Sequence, residues 1–94
     1  MNTPPLHDHI TPMVKKIIAD AGEFLPSMIN ESDNLNKDLD FDSLDVAGII
    51  CEIEKQYNIE IPDLIAEQAE TVGDLIKITQ NAWDQKCANQ QPAQ

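Results

Sequence analysis

The sequence predicts an all-α fold: a four-helix bundle with three longer helices, a short third helix and a long loop between helices one and two. Three observations carry that prediction. Apolar residues recur at three- and four-residue spacing in separate stretches, the period of an amphipathic helix. Capping and turn residues fall at the ends of those stretches. No segment offers two strands that could pair. The chain has 94 residues, 41% of them apolar, enough for one thin core and too many for a disordered chain. Its aromatic residues are only Phe24, Phe41, Tyr57 and Trp83, so that core must be mainly Ile, Leu and Val.

The first helix has Thr11 as its expected N-cap and Pro12 at the first helical position. Met13, Ile17, Ile18 and Ala21 follow at helical spacing, and Gly22 ends the run. Residues 23–41 then form a long connection with scattered apolar residues, among them Phe24, Leu25, Met28, Ile29, Leu35, Leu39 and Phe41. A loop of this length in a compact domain is functional or packed down by its own side chains, and the apolar spacing favours packing. Asp42 opens the second helix: its carboxylate can cap, and Asp45 adds negative charge at the positive end of the helix dipole. Val46, Ile49, Ile50, Ile53 and Tyr57 fall on one face, with Asp45, Glu52 and Lys55 facing away, and Asn58 closes the helix. Ile59-Glu60-Ile61 reads as a short alternating extended piece before Pro62. Asp63 is the expected cap of a short third helix reaching about Ala69. Thr71-Val72-Gly73-Asp74 resembles a capping box with Asp in the place of the usual Glu or Gln. Leu75, Ile76, Ile78 and Trp83 give the fourth helix its apolar face.

Residues 1–9 read as a flexible N-terminal arm, residues 10–87 as the folded domain and residues 88–94 as a flexible polar tail. The arm has two prolines and two histidines without periodicity, and His7 and His9 read as solvated. Met1–Pro5 shows neither a basic region nor an apolar stretch, so no signal peptide is expected and the expected address is the cytoplasm. No apolar run approaches the roughly 18 residues a membrane span needs. Cys51 and Cys87 have no companions at metal-ligand spacing and are expected as free thiols, a disulfide between them being the lesser alternative. Cys51, in an apolar stretch, reads as a small buried hydrophobe.

Charge is the strongest compositional signal. The formal net is −11, and all six basic residues are lysines. Residues 31–63 alone sum to −8. Such a surface repels nucleic acid and anionic membranes and steers the domain toward basic patches on protein partners. Solubility alone is the plainer reading of the same charge.

Most reaction chemistries lack their residues. Asp38-x-Asp40-x-Asp42 opens like a calcium loop, but Ser43 stands where the sharp turn needs Gly and Ile49 where a bidentate Glu should close the site. No bound metal is expected. The two histidines sit in the arm, and the three glycines make no phosphate-cradling loop, so the chain does not read as an enzyme. What remains is Ser43, in the first turn of helix two at the exposed end of a long loop. Unsatisfied N–H groups and the helix dipole there favour an anion, whereas Asp38, Asp40, Asp42 and Asp45 oppose one. From local physics alone, an ordinary first-turn serine is the simpler reading.

Asp38-Leu39-Asp40-Phe41-Asp42-Ser43-Leu44-Asp45-Val46 resembles the acyl carrier protein signature around its modified serine. Val14–Ile18 resembles the family's first helix, Ile59–Asp63 the link before its third, and Thr71–Leu75 the start of its fourth. The resemblance covers roughly residues 13–80 in register. It implies that a phosphopantetheinyl transferase moves a 4′-phosphopantetheine arm from coenzyme A onto Ser43, and that cargo rides as a thioester on the arm's thiol. Asp42 matches the aspartate that helps place the metal ion during that transfer. Leu44, Asp45, Val46 and Glu54 match partner-binding positions on helix two, and Ile50, Cys51, Ile61 and Ala69 match the acyl pocket. The implied protein is a monomeric carrier of the fatty-acid or polyketide kind, serving acyl-transferring and ketoacyl synthase type enzymes with basic patches. Two alternatives stay open: an acidic interaction module with this fold and an unmodified serine, and a peptidyl or aminoacyl carrier. The sequence departs from the family at Asp40, where glycine is usual, and at Gly48 and Lys55, where acids are usual. It departs also at Ala69, often a larger apolar residue, and at Cys51, often Met. For Gly48 the sequence allows two reasons, close packing or a partner-facing surface altered to discourage some enzymes.

Overall fold

The computed structural model describes residues 9–89, which form four α-helices: α1 (Ile10–Gly22), α2 (Ser43–Tyr57), α3 (Asp63–Ala66) and α4 (Val72–Asn89). His7 and the end of the polar tail lie outside the described residues. α1 packs on α2 and α4, and α3 packs on α4. Ile10, Val14, Ile17, Ile18 and Ala19 of α1 are buried, together with Ile49, Ile50, Ile53 and Tyr57 of α2. Val72, Leu75 and Ile76 complete the core from α4. Each Val, Leu or Ile side chain among them stabilises the fold by roughly 1.5–3 kcal/mol when taken from water. Ala21 is exposed, so the buried stripe of α1 lies nearer Ile10 and Val14 than its sequence spacing predicts. Ile78 and Trp83 are only partly buried against the core. Buried Thr79 takes an inner position on α4 instead, its hydroxyl donating to the Leu75 carbonyl at 2.8 Å, which satisfies it within the helix.

Helix ends follow the sequence where the signal is local. Asp42 and Asp45 form a reciprocal capping box: the Asp45 amide donates to Asp42 Oδ1 at 2.9 Å and the Asp42 amide to Asp45 Oδ2 at 3.1 Å. Thr71 and Asp74 do the same for α4. Asn58 ends α2 in the left-handed conformation, φ 53°, which Asn tolerates better than most residues. Elsewhere the ends differ from expectation. α1 begins at Ile10 with His9 as its N-cap, not at Thr11. Buried Ile10 joins the core, and the His9 carbonyl accepts from both the Met13 amide and the Tyr57 hydroxyl. The His9 ring is exposed but not merely solvated: it stacks on Tyr57 at 5.8 Å and meets Trp83 edge-on at 6.2 Å. α3 is shorter than expected and starts after Pro62, without a side-chain cap from Asp63.

The left-handed residue that ends α1 is Glu23, φ 62°, not Gly22. Gly22 has a different reason. A Cβ there would sit within 2.9 Å of Phe41 Cζ and closer still to the Phe24 ring, and those two rings meet edge to face at 6.3 Å. A side chain at position 22 would split this pair.

The long loop is packed, as its apolar residues predict, but not by all of them. Ile29, Leu35, Leu39 and Phe41 are buried, whereas Leu25 and Met28, flanking and ending a 3-10 turn at Pro26–Met28, are 64% and 56% exposed. Backbone hydrogen bonds tie the loop to the start of α4: Leu35 N to Glu70 O at 2.8 Å, Val72 N to Asp33 O at 3.0 Å and Gly73 N to Glu31 O at 2.8 Å. The last two satisfy α4 amides that have no partner within the helix.

Asp74 is the most heavily used carboxylate of this junction. The Glu70 amide donating to it at 2.9 Å, helped by Thr71 and by Lys77, outweighs partial burial and holds its pKa below the ordinary value. Its folded-state pKa being depressed, its contribution is full above the ordinary carboxylate range of roughly 4 and is lost as pH falls through the lowered value. Asp74→Ala is expected to cost about 1–2 kcal/mol at neutral pH and to flatten the acid limb of stability below about pH 4. Urea unfolding at several pH values checks both.

Candidate functional site

The loop's last turn and the first turn of α2 present Ser43. Asn34 Oδ1 accepts the amides of Asn36 and Lys37, at 2.9 and 2.8 Å, and Asp38 Oδ2 accepts the Asn34 amide at 2.7 Å. The Asn36 side chain donates to the Phe41 carbonyl at 3.0 Å. Asp40 has φ 61°, the left-handed region glycine suits best and Asp enters more readily than most residues. The position that departs from the family's glycine is therefore one where the backbone has a use for glycine. Ser43 follows as the exposed first residue of α2. Two of the carboxylates that oppose an anion there, those of Asp42 and Asp45, are turned onto backbone amides by the capping box.

Ser43 lies on the rim of a cleft of about 880 Å³ between the loop, α2 and α3. Phe41, Val46, Ile50, Ile61, Ala66 and Ala69 give it an apolar wall, and Asn34 and Asn36 also line it. All four residues matched to an acyl pocket, Ile50, Cys51, Ile61 and Ala69, line this one cleft. Cys51 is a free thiol and is exposed, contrary to the buried position expected of it. It stands on the cleft side of α2, where the apolar stretch turns toward solvent. Among the cleft residues that sequence reasoning missed are Asn34, Asn36, Lys37, Phe41 and Ala66; the Asn-x-Asn-Lys-Asp turn was the available signal for the first three.

The four residues matched to partner binding are placed differently from one another. Leu44 is 78% exposed, and Val46 is half-buried in the cleft wall. Asp45 is exposed but gives one oxygen to the cap. Glu54 is half-buried, and its Oε2 accepts the Ile61 amide at 2.8 Å, pinning the α2–α3 link against α2. No group of three or more His, Cys, Asp or Glu that could hold a metal occurs among the described residues. None of their helices is long and apolar enough to cross a membrane.

The family model described as "Phosphopantetheine attachment site" matches residues 14–78, a span that includes Ser43, the cleft and all four motifs. The chain belongs to the acyl carrier protein family. It is 38% identical over 68 residues to an acyl carrier protein of a Sulfurovum species, covering 72% of this chain and 91% of the relative. It is similar also to acyl carrier proteins of Lactobacillus acidophilus, 41% identical over 67% of this chain and 79% of the relative, and of Chlamydia muridarum, 42% identical over 71% and 87%. The prosthetic group of this carrier is phosphopantetheine, and its family is one of cofactor-bearing carriers that work with synthases and transferases.

Gly48 is settled on one side by geometry. A Cβ built there meets nothing within 4 Å, so close packing does not explain the glycine. Gly48→Ala is expected to stabilise the fold by about 1 kcal/mol. Gly48→Glu should gain less, because Asp45 and Glu52 stand three and four residues away and like charges at that spacing cost a few tenths of a kcal/mol each, roughly. Urea unfolding of the two variants reads this directly, and a loss of stability in Gly48→Ala would mean an unseen neighbour.

Proposed function

We propose that Ser43 is the attachment point of the phosphopantetheine arm and that the chain delivers acyl intermediates to fatty acid or polyketide type enzymes in the cytoplasm, as a monomer without catalytic activity of its own. The observation that carries this reading is the exposed Ser43 on the rim of a cleft whose wall is apolar. The residues present suit the group. A phosphodiester linkage at Ser43 meets the start of α2, where first-turn amides and the dipole favour an anion. An amide-rich arm finds Asn34 and Asn36 in the same cleft lining, and an apolar acyl chain finds Phe41, Val46, Ile50, Ile61 and Ala69 in the wall. When bound, the arm supplies the thiol on which cargo is carried as a thioester.

Attachment forms a bond between Ser43 Oγ and the phosphorus bearing the arm in coenzyme A and breaks the pyrophosphate link. The serine proton is lost and the nucleotide half leaves with the other phosphate. Asp42, adjacent to the nucleophile, helps place the metal ion brought by the transferase, while its capping bond keeps the first turn of α2 rigid. Leu44 offers an apolar anchor that nothing in the fold covers, and the acids about it attract a partner's basic rim. Partner affinity would then come from the anchor and association rate from the charge. Glu54 acts through the Ile61 amide, holding one wall of the cleft, and Ile50, Cys51, Ile61 and Ala69 face the cargo. Because Gly48 removes an acid from this face, Gly48→Glu should also load faster with a standard ketoacyl synthase or malonyl transferase.

The test is the intact mass of the apo protein after incubation with coenzyme A, magnesium and a broad-specificity phosphopantetheinyl transferase. One phosphopantetheine should be gained. An unchanged mass, with a known carrier modified in the same tube, would favour an interaction module with an unmodified serine.

A further inference from the structure

The arm's linkage places a permanent negative charge where the chain is already most acidic, and one cation lines the same cleft as Ser43. Among the residues lining the cleft, Lys37 is the single basic one; its other charged residues, Asp42, Glu54, Asp63, Glu67 and Glu70, are acidic. The exposed Lys37 stands on a turn that is held in place. Its amide donates to Asn34 Oδ1, the same turn is closed by Asp38 on the Asn34 amide, and buried Leu35 and Leu39 anchor the backbone on either side. Despite the −8 sum of residues 31–63, the Lys37 ammonium makes no ion pair among the described residues. Three of the four carboxylates near it in sequence are committed elsewhere, Asp33 to the Asn30 amide, Asp38 to the Asn34 amide and Asp42 to the Asp45 amide; the fourth, Asp40, accepts no hydrogen bond among the described residues and is not paired with Lys37. The other lysine of that segment, Lys55, does not line the cleft, and Lys16 faces a separate groove between α1 and α2.

We infer that Lys37 is the counter-charge for the phosphodiester on Ser43, a positioning residue that holds the root of the arm against the loop side of the cleft. The inference rests on Ser43 as the attachment point. It accounts for a cation left unpaired amid acids, on a turn built to be rigid. It also answers the electrostatic objection that Asp38, Asp40, Asp42 and Asp45 raise to an anion at Ser43.

The experiment compares apo and holo forms of the wild type, Lys37→Gln and Lys37→Arg by urea unfolding. Intact mass first establishes that each holo form has its arm. At low salt, Lys37→Gln should lower the folded-to-unfolded ratio of the holo protein by about two- to five-fold more than that of the apo protein, the range of an exposed ion pair. The difference should shrink near 0.5 M sodium chloride, where the screening length is only a few ångströms, roughly. Lys37→Arg should keep the wild-type difference. An equal change in apo and holo forms overturns the inference and leaves Ser43 untouched. A wild type that gains no arm fails already in the mass spectrum and takes the inference with it.

Discussion

Ser43→Ala is expected to abolish gain of the arm completely while changing stability by no more than about 0.5 kcal/mol. The asymmetry follows from how the first turn of α2 is held. Its cap is the reciprocal pair of Asp42 and Asp45, each accepting the other's amide, and the Ser43 side chain has no part in it. Alanine is the best helix former, so the helix start survives while the one exposed hydroxyl on the cleft's rim is gone. Circular dichroism and urea unfolding should overlay with the wild type, and intact mass should stay at the apo value after exposure to coenzyme A and the transferase. A variant that still gains the arm would move the attachment to Ser27 or Ser32, the remaining serines.

The second large effect is on the loop. Leu35→Ala is expected to cost about 2–5 kcal/mol, the usual loss for a fully buried leucine, which is a large share of the roughly 5–14 kcal/mol available to a domain of this size. Leu35 is 2% exposed, and its own backbone bridges the loop to both neighbours: its amide to Glu70 O and its carbonyl to the Phe41 amide. Losing its side chain removes the anchor beside the turn that presents Lys37 and, through Phe41, the entry to α2. Leu25→Ala in the same loop is the control, expected within about 0.5 kcal/mol because that side chain is 64% exposed. Equal costs for the two variants would mean that the loop is not held by its buried leucine.

These two leucines also mark the limit of what the sequence discloses. Both occur in one polar-flanked loop, and spacing alone does not tell the anchor from the exposed one; the distinction is made by the tie between Leu35 and Glu70, across 35 residues of chain. Signals confined to three or four residues were legible. The Asp42–Asp45 and Thr71–Asp74 boxes, the Asn58 terminus and the alternation of buried Ile59 and Ile61 about exposed Glu60 all stand as their local chemistry predicts. Misplaced features depend on distant partners. Thr11 is a better cap in isolation than His9, but Tyr57 and Trp83 hold the His9 ring and the buried Ile10 draws the helix start forward. Cys51 has apolar neighbours in sequence and solvent in space. Glu54 has the look of a free surface acid, and only the folded chain turns it onto the Ile61 amide. Of the cleft, Ile50, Cys51, Ile61 and Ala69 were named through family resemblance, as was Ser43 on its rim, whereas Phe41 and Ala66 of its wall were not. The place of Lys37 on the same cleft was not legible, because five residues and a turn separate it from the serine.

The measurement that bears most directly on the carrier's working residue is the location of the arm in protein isolated from its own cell. Cleavage after lysine gives a peptide of residues 38–55 in which Ser43 is the sole hydroxyl side chain, and a separate peptide of residues 17–37 that contains Ser27 and Ser32. The account predicts the full phosphopantetheine mass on the 38–55 peptide, with fragment ions placing it at Ser43 and not at the Cys51 thiol. The arm on the 17–37 peptide, or a 38–55 peptide recovered only in its unmodified mass, would contradict it.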